Sequence, residues 1–158
     1  MTSESVQIDT PQSAASAQQF TQLFSATRRG ARLARLLAVE QLAAWGWPRD
    51  GARTDAAALV VAELAANAAV HGRLEGRGFR LGLALLPTGR LRIEVTDPRA
   101  DRDLPAVPRE AGEGGRGLII VEALALDWGV DPCPPSGKTV WAEVRAVTTG
   151  ARRQALSV

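Results

Sequence analysis

Between Ala56 and His71 every residue is Ala, Leu or Val except Glu63, Asn67 and His71. In a helix, positions four apart lie about 40° apart around the axis, so these three share one narrow polar strip. A carboxylate and an amide one turn apart suit the holding of Mg²⁺ or the activation of a hydroxyl. Leaving such groups buried and unpaired costs about 1–3 kcal/mol each, and more for a charge. The strip must therefore face water, a partner or a ligand cavity. A plain solvent face covers about half a helix's circumference, and three polar residues in sixteen make a thin one. His71, beside Gly72, is equally suited to the carbonyls at a helix C-terminus.

Three further segments carry candidate chemistry. Gly112 to Gly117 reads G-E-G-G-R-G and formally satisfies the dinucleotide pattern, but a long polar loop precedes it and no parallel strand follows. That context excludes a Rossmann fingerprint. Glycines ahead of a helix starting near Arg116 would still present backbone N–H groups to an anion. Gly137-Lys138-Thr139 matches the end of a Walker A loop, yet Pro132 stands where the first glycine is required and a strand follows instead of a helix. Asp97 closes the run LRIEVTD and opens a polar loop, a place for a turn former or for a binding carboxylate.

The elements that position these residues can be read in order. Residues 1–18 are polar and without apolar period and are expected to form a disordered tail; 19–147 form one domain; 148–158 form a second flexible tail. Phe20 to Phe24 predicts a short edge strand. Thr27 predicts the N-cap of an amphipathic helix carrying Leu33, Leu36, Leu37 and Leu42, closed near Gly46 and Pro48. Thr54 predicts the cap of the helix that carries the strip. Two β-type runs flank Pro87-Thr88-Gly89-Arg90 as a hairpin, the loop from Pro98 to Gly115 follows, and a third helix is expected from about Arg116 to Leu126. Strands near Trp128–Val130 and from Lys138 to Val147 close the domain. The order predicts an α+β two-layer sandwich, a mostly antiparallel mixed sheet with helices on one face.

Composition narrows the function classes. The chain has 158 residues, eighteen arginines against one lysine, and a formal net charge of only +2. No Tyr and three Phe leave no platform for stacking single-stranded bases, so direct nucleic-acid binding is not expected. Cys133 is the only cysteine, which excludes an internal disulfide and a cysteine zinc site. No run is long and apolar enough for a membrane helix and no secretory leader is visible, so a cytoplasmic protein without membrane contact is expected.

Taken in order, these segments resemble the GHKL ATP-binding domain family, with a Bergerat-type fold, and within it the anti-sigma-factor serine/threonine kinase branch. Glu63-Leu64-Ala65-Ala66-Asn67-Ala68-Ala69-Val70-His71-Gly72 is similar to the N-box. Val95-Thr96-Asp97-Pro98 stands at the G1 box, Gly115-Arg116-Gly117-Leu118 at the G2 box, and Gly137-Lys138-Thr139-Val140-Trp141 at the final box. The resemblance implies ATP and Mg²⁺ as cofactors. It makes Glu63 the general base, Asn67 the Mg²⁺ ligand and Asp97 the acceptor for the adenine amino group. Gly115, Arg116 and Gly117 fall at the phosphates and Thr139 near the adenine. It implies a sigma factor or its antagonist as partner, and a homodimer formed through the first helix and the Phe20–Phe24 strand. The G1 box departs from the family pattern: Asp97 is followed by Pro98, Arg99, Ala100 and Asp101, without its two glycines. A sensor histidine kinase would need a phospho-accepting histidine, and His71 is the only one and sits in the N-box. The expected activity is serine/threonine phosphoryl transfer from ATP. The alternative is a catalytically inactive, nucleotide-gated protein-binding module.

Overall fold

A computed structural model describes residues 18–71, 78–98, 112–134 and 137–147. The two expected tails, apart from Gln18, and most of the loop after Asp97 lie outside the described residues. The element order is β1 (Gln19–Ser25), α1 (Arg28–Ala44), α2 (Ala52–His71), β2 (Gly78–Leu85), β3 (Arg90–Asp97), α3 (Gly112–Leu124), β4 (Asp127–Cys133) and β5 (Gly137–Arg145). The five strands form one sheet in the order β1-β2-β3-β5-β4, and every described pairing is antiparallel. This is the α+β sandwich that the sequence predicted, its mostly antiparallel sheet being antiparallel in every described pair. No helix among the described residues is long and apolar enough to cross a membrane.

Side chains alternate between the two faces of each strand. One face carries Leu81, Leu83, Leu91, Ile93, Val95, Ala142 and Val144, all buried in the core with Val60, Val61 and Leu64 of α2. The other face is polar. There Arg92 stacks on the Trp141 ring, its guanidinium carbon 4.3 Å from the centroid, and hydrogen-bonds Glu94 and Glu143. Partial burial works against the Arg92 charge, and these carboxylates outweigh it and hold its pKa above the ordinary arginine value. The β2–β3 hairpin closes through Gly89 at φ 84, whose N–H donates to the Leu86 carbonyl. That left-handed position suits glycine.

Thr27 caps α1 as read, its hydroxyl accepting from the Gly30 N–H at 2.9 Å. The buried face of α1 differs from its sequence signature. Gly30, Ala34, Ala38 and Leu42 are buried, whereas Leu33, Leu36 and Leu37 are exposed. Gly30 leaves no room for a side chain against the Ser25 backbone at the end of β1, Ala34 and Ala38 are fully buried, and the leucines are left outside. Thr54 is likewise not a cap. It lies inside α2, buried, and its hydroxyl donates to the Pro48 carbonyl at 2.6 Å. The Gly51 carbonyl receives the Asp55 N–H, so the helix starts ahead of Thr54.

Candidate functional site

α2 occupies the middle of the helical layer, packed on α1, α3 and the strands β2, β3 and β5. Its buried side is continuous through Ala57, Val60, Val61, Leu64, Ala65 and Ala68. Glu63 and Asn67 are half-buried on the opposite side, so neither stands in open solvent or in the core. This is the placement that the polar strip required. The helix runs to His71, whose side chain, with Gly72, lies outside the described residues.

A groove of about 740 Å³ runs between α1 and α2. Arg28, Ala31, Arg32 and Arg35 form its α1 wall, and Ala62, Glu63, Ala66 and Ala69 its α2 wall. The three arginines stand at i, i+4 and i+7, one face of α1. None of them forms an ion pair among the described residues. Positive charge therefore lines the approach to the Glu63 carboxylate. Asn67 is absent from the groove wall: the 40° helical step from Glu63 turns it to the flank away from α1. Glu63 stands on the boundary between that flank and the groove. The i, i+4, i+7 spacing of these arginines was the signal for this arrangement in the sequence.

Asp97 is only 5% exposed at the end of β3. It follows Val95 by two residues, so its side chain is on the helix-facing side of the sheet. Gly137 makes this end of the strand possible. A Cβ there would lie 2.5 Å from the Asp97 carbonyl oxygen and 2.8 Å from the Pro98 Cα. The final box thus contributes a close backbone approach beneath Asp97. Thr139 is elsewhere. It pairs with Thr96 in the register, and their hydroxyls are 2.8 Å apart on the outer face of the sheet. The residue opposite Asp97, on the same face, is Lys138. Thr139 therefore does not share a face with Asp97, because one step along a strand reverses the face.

The glycine segment also differs from its reading. α3 begins at Gly112, four residues before the expected start, so Gly115, Arg116 and Gly117 lie within its first two turns. Their N–H groups enter the helix's own ladder, and the free amides belong to the turn starting at Gly112. The Arg116 side chain and residues 99–111 lie outside the described residues. Among those described, no three His, Cys, Asp or Glu gather as a metal site. A hard cation held by one amide oxygen and by ligand phosphates does not need such a cluster. The half-buried Glu63 and Asn67 supply oxygen donors, and buried Asp97 supplies an acceptor, so this donor set suits a magnesium nucleotide.

Three helices on one face of a five-stranded antiparallel sheet make a two-layer α+β sandwich. The family model for the histidine kinase-like ATPase domain matches residues 24–144, and the chain belongs to that family. An uncharacterised protein of Streptomyces coelicolor is 37% identical over 92 residues, covering 50% of this chain and 87% of the relative. Among solved structures, the fold is similar to the RsbU and RsbW domains of Rv1364c from Mycobacterium tuberculosis. That match has a TM-score of 0.60 and 22% identity, and covers 80% of this chain. This chain spans only 31% of that longer one.

Proposed function

We propose that this chain is an ATP-dependent regulatory kinase that transfers phosphate to a serine or threonine of a protein partner, as the anti-sigma-factor kinases do whose boxes it resembles. The observation that carries the reading is the position of Glu63 between the Asn67 flank and an arginine-lined groove. Asn67 would hold Mg²⁺ through its amide oxygen, and Asp97 would accept from the adenine amino group. Bound Mg-ATP would supply the phosphoryl group and the cation that neutralises its charge. Glu63 would take the proton of the attacking hydroxyl, which enters from the groove side. Arg28, Arg32 and Arg35 would hold the acidic residues that flank that hydroxyl. The partner would be a sigma-factor antagonist or the sigma factor itself.

The test is label transfer from γ-labelled ATP to candidate antagonist proteins. The wild type should label serine or threonine, and Glu63→Gln should lose transfer while retaining ATP binding. Equal labelling by Glu63→Gln would remove the base role. The second reading, a nucleotide-gated binding module without transfer, is favoured by Pro98 standing directly after Asp97 without the G1 glycines. It predicts ATP-dependent partner capture with no label on any partner.

A further inference from the structure

Among the described residues of β3 and β5, Asp97 has one polar neighbour on its own face of the sheet. Lys138 stands directly opposite it in the register, and directly opposed residues of an antiparallel pair have Cβ atoms about 4.5–5.5 Å apart. The next positions on that face are Val95 and Val140, both buried and apolar. Lys138 is half-buried and belongs to none of the ion pairs among the described residues. The flanking positions offer no other side-chain donor there. Gly137 has no side chain, Thr139 is turned to the outer face, and Pro98 lacks even the amide N–H.

We propose that Lys138 is a second base-reading residue of the nucleotide site, its ammonium donating to the N1 ring nitrogen of adenine while Asp97 accepts from the amino group. The proposal rests on the nucleotide reading of Asp97 and adds a donor to it. On the Watson–Crick edge of adenine the amino group, a donor, is adjacent to N1, an acceptor. A carboxylate beside an ammonium, acceptor beside donor, is the complement of that edge. Lysine suits the task because its flexible four-carbon stem carries a compact charge with three rotatable donors. Hypoxanthine has a carbonyl in place of the amino group and a hydrogen on N1, which reverses the order. Its carbonyl would face the carboxylate and its N–H the ammonium, two repulsive contacts in place of two attractive ones. Guanine shares that reversed edge. The Asp97–Lys138 pair thus selects adenine both by attraction and by rejecting the oxo purines.

The test is calorimetric titration of the full chain with the magnesium complexes of ATP, ITP and 1-deaza-ATP, in which C–H replaces N1 and the amino group is kept. A hydrogen bond from a charged donor corresponds to about a 10- to 150-fold change in affinity. The wild type should therefore bind 1-deaza-ATP at least about tenfold more weakly than ATP. Lys138→Met should bind the two alike, and its preference for ATP over ITP should be about tenfold smaller than the wild type's. The comparison of ATP with 1-deaza-ATP on the wild type needs no substitution, so it decides the matter even where the variant folds poorly. Equal binding of the two by the wild type overturns the proposal and leaves the Asp97 reading standing. A Lys138→Met variant that weakens both ligands by the same factor keeps the N1 preference and overturns it too, assigning the ammonium to the phosphates or to Asp97 alone. Absence of ATP binding by the wild type would overturn the nucleotide reading and this proposal with it.

Discussion

Replacing Gly137 with alanine separates the stability of the sheet from the geometry of the candidate site. The added Cβ would lie 2.5 Å from the Asp97 carbonyl oxygen, 2.8 Å from the Pro98 Cα and 2.9 Å from its carbonyl carbon. All three are backbone atoms, so no side chain can swing aside. Reaching the 3.4 Å of ordinary contact requires the end of β3 to move by about 0.9 Å from β5. Overpacking of this kind costs about 1–3 kcal/mol, offset by about 0.4–1 kcal/mol from the stiffer unfolded chain. The net expectation is a loss of roughly 1–2 kcal/mol in urea unfolding. Asp97 moves with its own carbonyl. A hydrogen bond to a charged acceptor contributes about 1.5–3 kcal/mol, so ATP affinity should fall by roughly 10- to 150-fold in calorimetry. Stability lost without any loss of affinity would take Asp97 out of the site. No change in either would refute the close approach itself.

Two further outcomes follow from side-chain contacts. Thr54→Val removes the donor to the Pro48 carbonyl in a buried setting and should cost about 1–3 kcal/mol in chemical denaturation; a cost near zero would mean that the carbonyl finds another donor. Glu40 has its pKa lowered, chiefly by the hydrogen bond from Arg49, so the pair's small contribution is present above the unfolded carboxylate value and is lost as pH falls through the lowered one. Glu40→Gln should therefore trail the wild type slightly at neutral pH and match it in acid, and a gap that widens in acid would contradict the sign.

Much of the frame was legible because local chemistry and periodicity agreed. Thr27 before an apolar repeat, Gly89 after Pro87-Thr88, and the alternation of Leu91, Ile93 and Val95 each point to one element, and the structure has those elements. The strip on α2 was legible for the same reason, since so few polar residues interrupt that helix. Other features needed tertiary information. The buried face of α1 is set by Gly30, which leaves no room for a side chain against the Ser25 backbone, and by the fully buried Ala34 and Ala38, and leucine counting points the other way. Each helical glycine costs about 1 kcal/mol relative to alanine, so propensity alone delayed the start of α3 past Gly112. Thr139 sits in the right box, but its face depends on a register that no local pattern specifies. The arginine groove exists only once α1 and α2 are side by side.

In the proposed function Asn67, beside Glu63 and with Asp97, forms a magnesium-nucleotide site. Calorimetric titration of ATP into the full chain, with magnesium and then with excess chelator, tests it most directly. Saturable binding that weakens when magnesium is removed is expected, with an Asn67→Ala variant that binds equally in both conditions. Absence of binding at millimolar ATP, or an Asn67→Ala variant that keeps the full magnesium dependence, would contradict it.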